Sequence, residues 1–166
     1  MLELAAGSTY TPIATTTLGS AASSVTFSSI TGYTDLRLVA NFSTTTNVAD
    51  IALRYNSDTG TNYSDTSLVG TGSSATSGRN SNSSYAKIGY CGTSGQTMMS
   101  TADIMNYSNS ITYKTCLGRS SNAAGEVQQE VNLWRNTAAI TTLTMLVGAG
   151  NFAIGSTFTL YGILAA

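Results

Sequence analysis

The sequence predicts an all-β fold, an antiparallel β-sandwich of eight to ten short strands in jelly-roll or Greek-key order. Three observations lead to it. Apolar and polar residues alternate over segments of about four to ten residues, these segments recur roughly every ten residues between turns rich in Gly, Ser and Asn, and no segment shows a convincing helical period. Such a pattern is typical of sandwiches and Greek-key barrels.

Four strands are predicted in the first third of the chain. The first, over residues 8–18, is rich in Thr and contains Pro12, which favours an edge position or a strand start. A short strand follows at 25–27. In the third, over 35–43, every second residue is apolar, as expected for a half-buried strand: Leu36, Leu38, Ala40 and Phe42. The fourth, at 51–55, alternates in the same way, and the polar turn between the third and fourth strands predicts a hairpin.

Residues 56–84 form the least hydrophobic part of the chain. They are dense in Asn, Ser, Gly and Thr, with a short apolar island at Leu68 and Val69. We predict a long loop in which this island forms at most a short strand. Long loops in compact domains are often functional, so this one is the candidate contact surface.

The remaining predicted strands lie in the second half. The segment 125–134 contains Glu and Gln, which favour a helix, but strict alternation and neighbouring strands favour β-structure. A long strand at 98–107 is predicted to be central, and the last strand is expected to lie inside a sheet. The six segments are 85–90, 98–107, 113–117, 127–134, 143–147 and 157–163.

Composition excludes several functions. The 166 residues suit one domain, and we predict an N-terminal arm at 1–9 followed by a single domain at 10–166. Charged residues make up 9% of the chain, while 50 residues are Ser or Thr. The net charge of −1, without a basic run, disfavours nucleic acid and anionic membranes as partners. No apolar run reaches the roughly 18 residues of a membrane span, and the first residues do not resemble a secretory signal.

Motifs for chemistry are also missing from the sequence. There is no histidine, which removes His-based nucleophile pairs and His-ligated zinc, and Cys91 and Cys116 are expected to be free thiols. The oxygen-bearing side chains around Asp58 are faintly similar to a calcium loop, but no glutamate closes the pattern, so a plain turn is favoured. We therefore predict a non-enzyme without cofactor or metal.

Several segments of the chain resemble structural proteins of tailed bacteriophages, including cyanophages. The similarity covers almost the whole chain and rests on the order and spacing of residues 10–14, 27–30, 33–36, 100–109, 113–115, 133–140 and 158–163. This resemblance implies a component of the virion, assembled in the host cytoplasm, and leaves its place in the particle open.

Two functions are compatible with that resemblance. The first is an oligomeric decoration (cement) protein, with a trimer favoured, that binds the major capsid protein or other virion proteins. The second is a receptor-binding or structural domain of a tail fibre or spike that recognises host glycan. The absence of heptad or collagen-like repeats favours the first. Candidate interface residues are the apolar and aromatic side chains of the arm, the polar loop and its border, and the single tryptophan: Leu2, Leu4, Tyr63, Leu68, Tyr85 and Trp134.

Overall fold

The computed structural model describes residues 9–47, 49–91, 93–122 and 125–164. Within these residues the chain forms twelve β-strands and no helix. In chain order they are β1 (Tyr10–Thr17), β2 (Ser24–Phe27), β3 (Asp35–Phe42), β4 (Ala49–Tyr55), β5 (Tyr63–Gly70), β6 (Ala75–Ser83), β7 (Ala86–Cys91), β8 (Met98–Ile104), β9 (Lys114–Asn122), β10 (Glu126–Trp134), β11 (Leu143–Val147) and β12 (Thr157–Ile163).

The strands form two antiparallel sheets that enclose one apolar core. The large sheet has the order β1-β12-β3-β8-β9-β10-β5-β6, and the small sheet has the order β2-β11-β4-β7. The buried residues come from alternate positions of strands in both sheets. The prediction of an all-β antiparallel sandwich is therefore confirmed, although the twelve strands exceed the predicted eight to ten.

Most predicted strands are present close to their expected bounds. In β3 the four alternate apolar side chains are buried, as predicted. Residues 126–134 form a strand rather than a helix, and β8 is central, between β3 and β9. The last strand, β12, lies between β1 and β3 and is thus fixed within the large sheet.

Two structural predictions are wrong. β3 and β4 do not form a hairpin, because β3 belongs to the large sheet and β4 to the small one. Both strands bury their apolar faces in the same core from opposite sides, so the alternation is the same for a hairpin and for a crossover. The expected loop at 56–84 contains the hairpin of β5 and β6, which leaves only shorter connections.

The two sheets pack closely where β7 crosses β9. A Cβ atom at Gly118 would lie 2.8 Å from the Cβ of Ile88, and one at Gly89 would lie 2.2 Å from the Cβ of Ser120. Side chains at these two positions would force the sheets apart, so the glycines permit the contact. As a result β7, an edge strand of the small sheet, packs directly onto β9 and β10 of the large sheet.

Candidate interaction surface

The outer face of the large sheet carries an exposed apolar surface. Side chains on four adjacent strands, β8, β9, β10 and β5, point away from the core, and five of them are large, apolar and between 47% and 60% exposed. We call these five the outer-face patch: Leu68, Met99, Leu117, Val127 and Val131.

The strand register brings the members of the patch together. Val131 lies directly opposite Leu117, and Leu68 is a diagonal neighbour of Val131 across β5. Direct and diagonal neighbours on one face are about 5 and 7 Å apart, so these side chains touch or nearly touch. Met99 occupies the same row as Val127, two strands away. Leu117, Val131, Leu68 and Val127 therefore form a chain of neighbours on one face, and Met99 lies beyond Ser121 on the same face.

Arginines lie beside and within the outer-face patch, and Arg119 occupies the row between Leu117 and Met99. Arg37, Arg79 and Arg119 lie on the same face of the sheet, on β3, β6 and β9. Arg37 pairs with Asp103 at 3.5 Å, whereas Arg79 and Arg119 form no ion pair with the residues that the structure describes. A partner that offers apolar side chains and carboxylates would complement this face.

The outer face is large enough for a stable protein contact. Eight strands spaced about 4.8 Å apart and seven to nine residues long cover roughly 900 Å² of sheet surface. Specific interfaces bury about 800 Å² on each partner. The outer face thus matches the area that a standard interface needs.

The structure places the interface residues predicted from the sequence in different environments. Leu2 and Leu4 lie outside the described residues, and Leu68 belongs to the outer-face patch. Tyr63 and Trp134 are 0% and 1% exposed, so their assignment to an interface is wrong. They were chosen because aromatic residues with a polar group often anchor interfaces, but here those polar groups are used inside the fold.

The buried aromatics form an internal cluster with one loop. The Trp134 ring is stacked with Tyr63 at 6.3 Å and tilted against Tyr55 at 5.4 Å. Its indole Nε1 donates a hydrogen bond of 2.7 Å to Oδ2 of Asp58, and the Tyr63 hydroxyl donates one of 3.2 Å to the Asp58 carbonyl. This cluster therefore fixes the loop between β4 and β5 to the end of β10.

Asp58 acts as an acceptor within that loop. Its carboxylate also accepts hydrogen bonds from the backbone N–H of Gly60 at 2.8 Å and from the side-chain amide of Asn62 at 2.9 Å. Partial burial alone would raise the pKa of Asp58, but the hydrogen bonds from Trp134, Asn62 and Gly60 outweigh burial and lower it. The carboxylate thus stabilises a turn. No three Asp, Glu, His or Cys side chains of the described residues converge to hold a metal ion.

Tyr85 lies directly before β7, an edge strand of the small sheet. It is partly buried, and its hydroxyl donates a hydrogen bond of 2.7 Å to Oδ2 of Asp50. Burial raises the pKa of Tyr85 to about 12, and the hydrogen bond to Asp50 is the second cause of this increase. Asp50 also pairs with Lys87 at 3.1 Å. Tyr85 is therefore part of a structural polar group and lies away from the outer-face patch.

A row of buried polar side chains occupies the inner face of β10. Gln128, Glu130 and Asn132 are nearly or completely buried, and both carboxylate oxygens of Glu130 lack a hydrogen-bond partner. Burial, together with the nearby charge of Asp65, raises the pKa of Glu130 to about 7. This row lies where β7 packs on the large sheet.

Four members of the patch were not selected from the sequence: Met99, Leu117, Val127 and Val131. The sequence contains one indication that these residues point outward. In β10 the valines share one face and Trp134 lies on the other, and in β9 Leu117 lies opposite Cys116 and Gly118. If the tryptophan and the small residues are placed inside, the valines and Leu117 must point outward.

Comparison with known proteins adds no family assignment. No protein-family model and no curated protein sequence matches the chain. Among the described residues, no helix is long and apolar enough to cross a membrane.

Proposed function

We propose that the chain is a non-catalytic structural protein of a tailed-bacteriophage virion that decorates the head. In this proposal it binds the major capsid protein or a neighbouring virion protein through the outer-face patch, and particles assemble in the host cytoplasm. The observation that carries the proposal is the group of exposed apolar side chains on four adjacent strands, interspersed with arginines. The resemblance of its segments to phage structural proteins gives the type of partner.

The surface chemistry supports attachment to protein. Protein interfaces are enriched in methionine and arginine beside apolar residues, and the outer face combines these residue types. The outer face bears three arginines and few carboxylates, which suits a partner surface with exposed acidic groups. Nucleic acid and membrane are not proposed as partners, and the trimer favoured by analogy with other symmetric assemblies stays a prediction.

The receptor-binding alternative has less support. It places host glycan against Trp134, Tyr63, Tyr85 and the segment 56–84. Trp134 and Tyr63 are enclosed in the core, where the Trp134 N–H is already bonded to Asp58, and the Tyr85 hydroxyl is bonded to Asp50. No other observation on the described residues favours glycan recognition over a protein contact.

Replacing Val131 with aspartate should weaken attachment at least roughly tenfold, because a carboxylate would then be buried against a partner surface that itself offers carboxylates. Binding is measured by co-sedimentation of the purified variant with phage particles that lack the protein. Val131 is half-exposed in the free protein, so the fold should be retained, as checked by circular dichroism.

Ile111→Asp is the matched control. Ile111 is an exposed apolar residue in the connection between β8 and β9, outside the outer-face patch. This variant should bind like the wild type. Equal binding of Val131→Asp and wild type would contradict the assignment of the patch, and failure of the wild type to bind any particle would contradict the virion role.

A further inference from the structure

The four sheet edges differ in how they are protected. β1 contains Pro12 and an irregular register beside it, β2 has only four residues, and β7 has an irregular register with β4 and packs onto the large sheet. Such features prevent unwanted strand pairing. β6 has nine residues, lacks proline and is regular from Ala75 to Ser81. It is the unprotected edge among the described strands.

The hairpin geometry shows which backbone groups of β6 are available. The N–H of Thr71 donates to the carbonyl of Ser74 at 2.9 Å, which makes this the first hydrogen-bonded pair of the hairpin. Bonded and non-bonded pairs alternate in an antiparallel ladder. The backbone groups of residues 76, 78 and 80 are therefore directed to β5, and those of residues 75, 77, 79 and 81 are directed to the open edge.

We propose that β6 pairs antiparallel with β6 of a second copy of this chain, about a two-fold axis at Gly78. In this register Ala75 lies opposite Ser81 of the second copy and Ser77 lies opposite its Arg79. Four bonded residue pairs would give about eight backbone hydrogen bonds. The large sheets of two copies would then form one continuous sheet.

The side chains of β6 permit this register. Arg79 faces a serine rather than the other Arg79, so like charges are not placed directly opposite each other. Gly78 faces Gly78 at the axis, and Thr76 faces Asn80, so no bulky pair meets. Every residue of β6 from Ala75 to Asn82 is exposed in the single chain and is thus accessible.

The contact does not depend on the virion role. A two-fold contact between identical strands is isologous and joins copies in pairs. It therefore implies a dimer, or two trimers joined edge to edge, rather than a trimer held together by β6. The outer-face patch remains open on one side of the joined sheet.

Site-specific disulfide formation tests the register. In Gly78→Cys the two new cysteines would face each other across the axis. Their Cα atoms would be about 4.5 Å apart, within the range for a disulfide. In the control Asn80→Cys they would be offset by four residues, about 14 Å. Cys91 and Cys116 are buried and should not interfere. The nearest atom to a Cβ at Gly78 is the Ser67 hydroxyl oxygen, at 3.1 Å, which can move away by rotation about the Cα–Cβ bond of Ser67.

We expect Gly78→Cys to form a covalent dimer at least ten times faster than Asn80→Cys under mild oxidation. Adding Ser77→Pro, which removes an N–H directed to the open edge, should reduce this rate to that of the control, whereas Ser77→Ala should leave it unchanged. Equal rates for the two cysteine variants, absence of crosslinking, or crosslinking unaffected by Ser77→Pro would each overturn the proposal. Circular dichroism verifies that each variant is folded.

Discussion

Trp134→Ala is expected to lower the free energy of unfolding by about 4 kcal/mol, within the range measured for buried large-to-small substitutions. Trp134 is almost completely buried between Tyr55 and Tyr63, so removal of its ring leaves a cavity that these rigid neighbours cannot fill. The loss of the indole N–H also removes one of the hydrogen bonds that fix Asp58. Urea unfolding followed by circular dichroism gives the value.

One further variant separates the contribution of the Trp134 ring from that of its hydrogen bond, and a second variant is the control. Trp134→Phe keeps most of the apolar volume and loses the N–H, so about 2 kcal/mol should be lost. Tyr113→Ala removes an exposed aromatic ring and should change stability by less than about 0.5 kcal/mol. A Trp134→Ala protein as stable as the wild type would contradict the internal cluster and restore Trp134 as a surface residue.

Glu130→Gln is expected to stabilise the protein at pH 8 and to have little effect near pH 4. The pKa of Glu130 is about 7 in the folded protein, compared with 4.5 as its ordinary value. Below pH 4.5 the carboxyl group is protonated in both the folded and the unfolded chain. As the pH rises to 7, the unfolded chain releases this proton more readily, so stability falls by roughly 3 kcal/mol.

The groups that face Glu130 explain the direction of this effect. Burial is the main cause, and the carboxylates of Asp65 on β5 and Asp50 on β4 add to it, while the ammonium group of Lys87 on β7 opposes it. Glutamine keeps the shape and avoids the buried charge. Urea unfolding at pH 5 and pH 8 measures the difference between wild type and variant.

Glu126→Gln is the control for this prediction. Glu126 lies at the start of the same strand and is partly exposed, so the variant removes the same formal charge. Its carboxylate accepts a hydrogen bond from Gln128, which the amide oxygen of glutamine can also accept. The variant should retain the decrease in stability between pH 5 and pH 8. A Glu130→Gln protein with an undiminished pH dependence would show that another group is responsible.

The alternation of apolar residues predicted the fold class because most strands bury one face. In β3, the buried side chains are those that the period of two selects. The same period cannot say which sheet a strand joins, which is why β3 and β4 were expected to pair. Their apolar faces fit the core equally well from either side.

β6 could not be found from hydrophobicity. Its sequence, from Ala75 to Ser83, has no large apolar residue, and both of its faces are exposed. A strand that buries neither face has no need for alternation, so composition predicted a loop. Its pairing with β5 depends on the turn at residues 71–74, where Gly72 adopts φ +83, and on the backbone ladder.

The exposure of the outer-face patch was not predicted, for a related reason. Successive side chains of a strand point to opposite faces, so burial of one residue fixes the direction of all the others. In β10 the burial of Trp134 places Glu130 inside and Val131 outside. Hydrophobicity alone would place the valines in the core. In β9, Gly118 faces inward because β7 packs against it. The adjacent Leu117 therefore faces outward and belongs to the exposed patch.

The most direct test of the proposed virion role is to look for the protein on purified phage particles from a host in which its gene is expressed during infection. Particles are labelled with gold-tagged antibody against the protein and viewed by electron microscopy. A decoration protein predicts gold distributed over the head. Gold confined to the tail or fibres would contradict decoration, and particles without gold would contradict a place in the virion altogether.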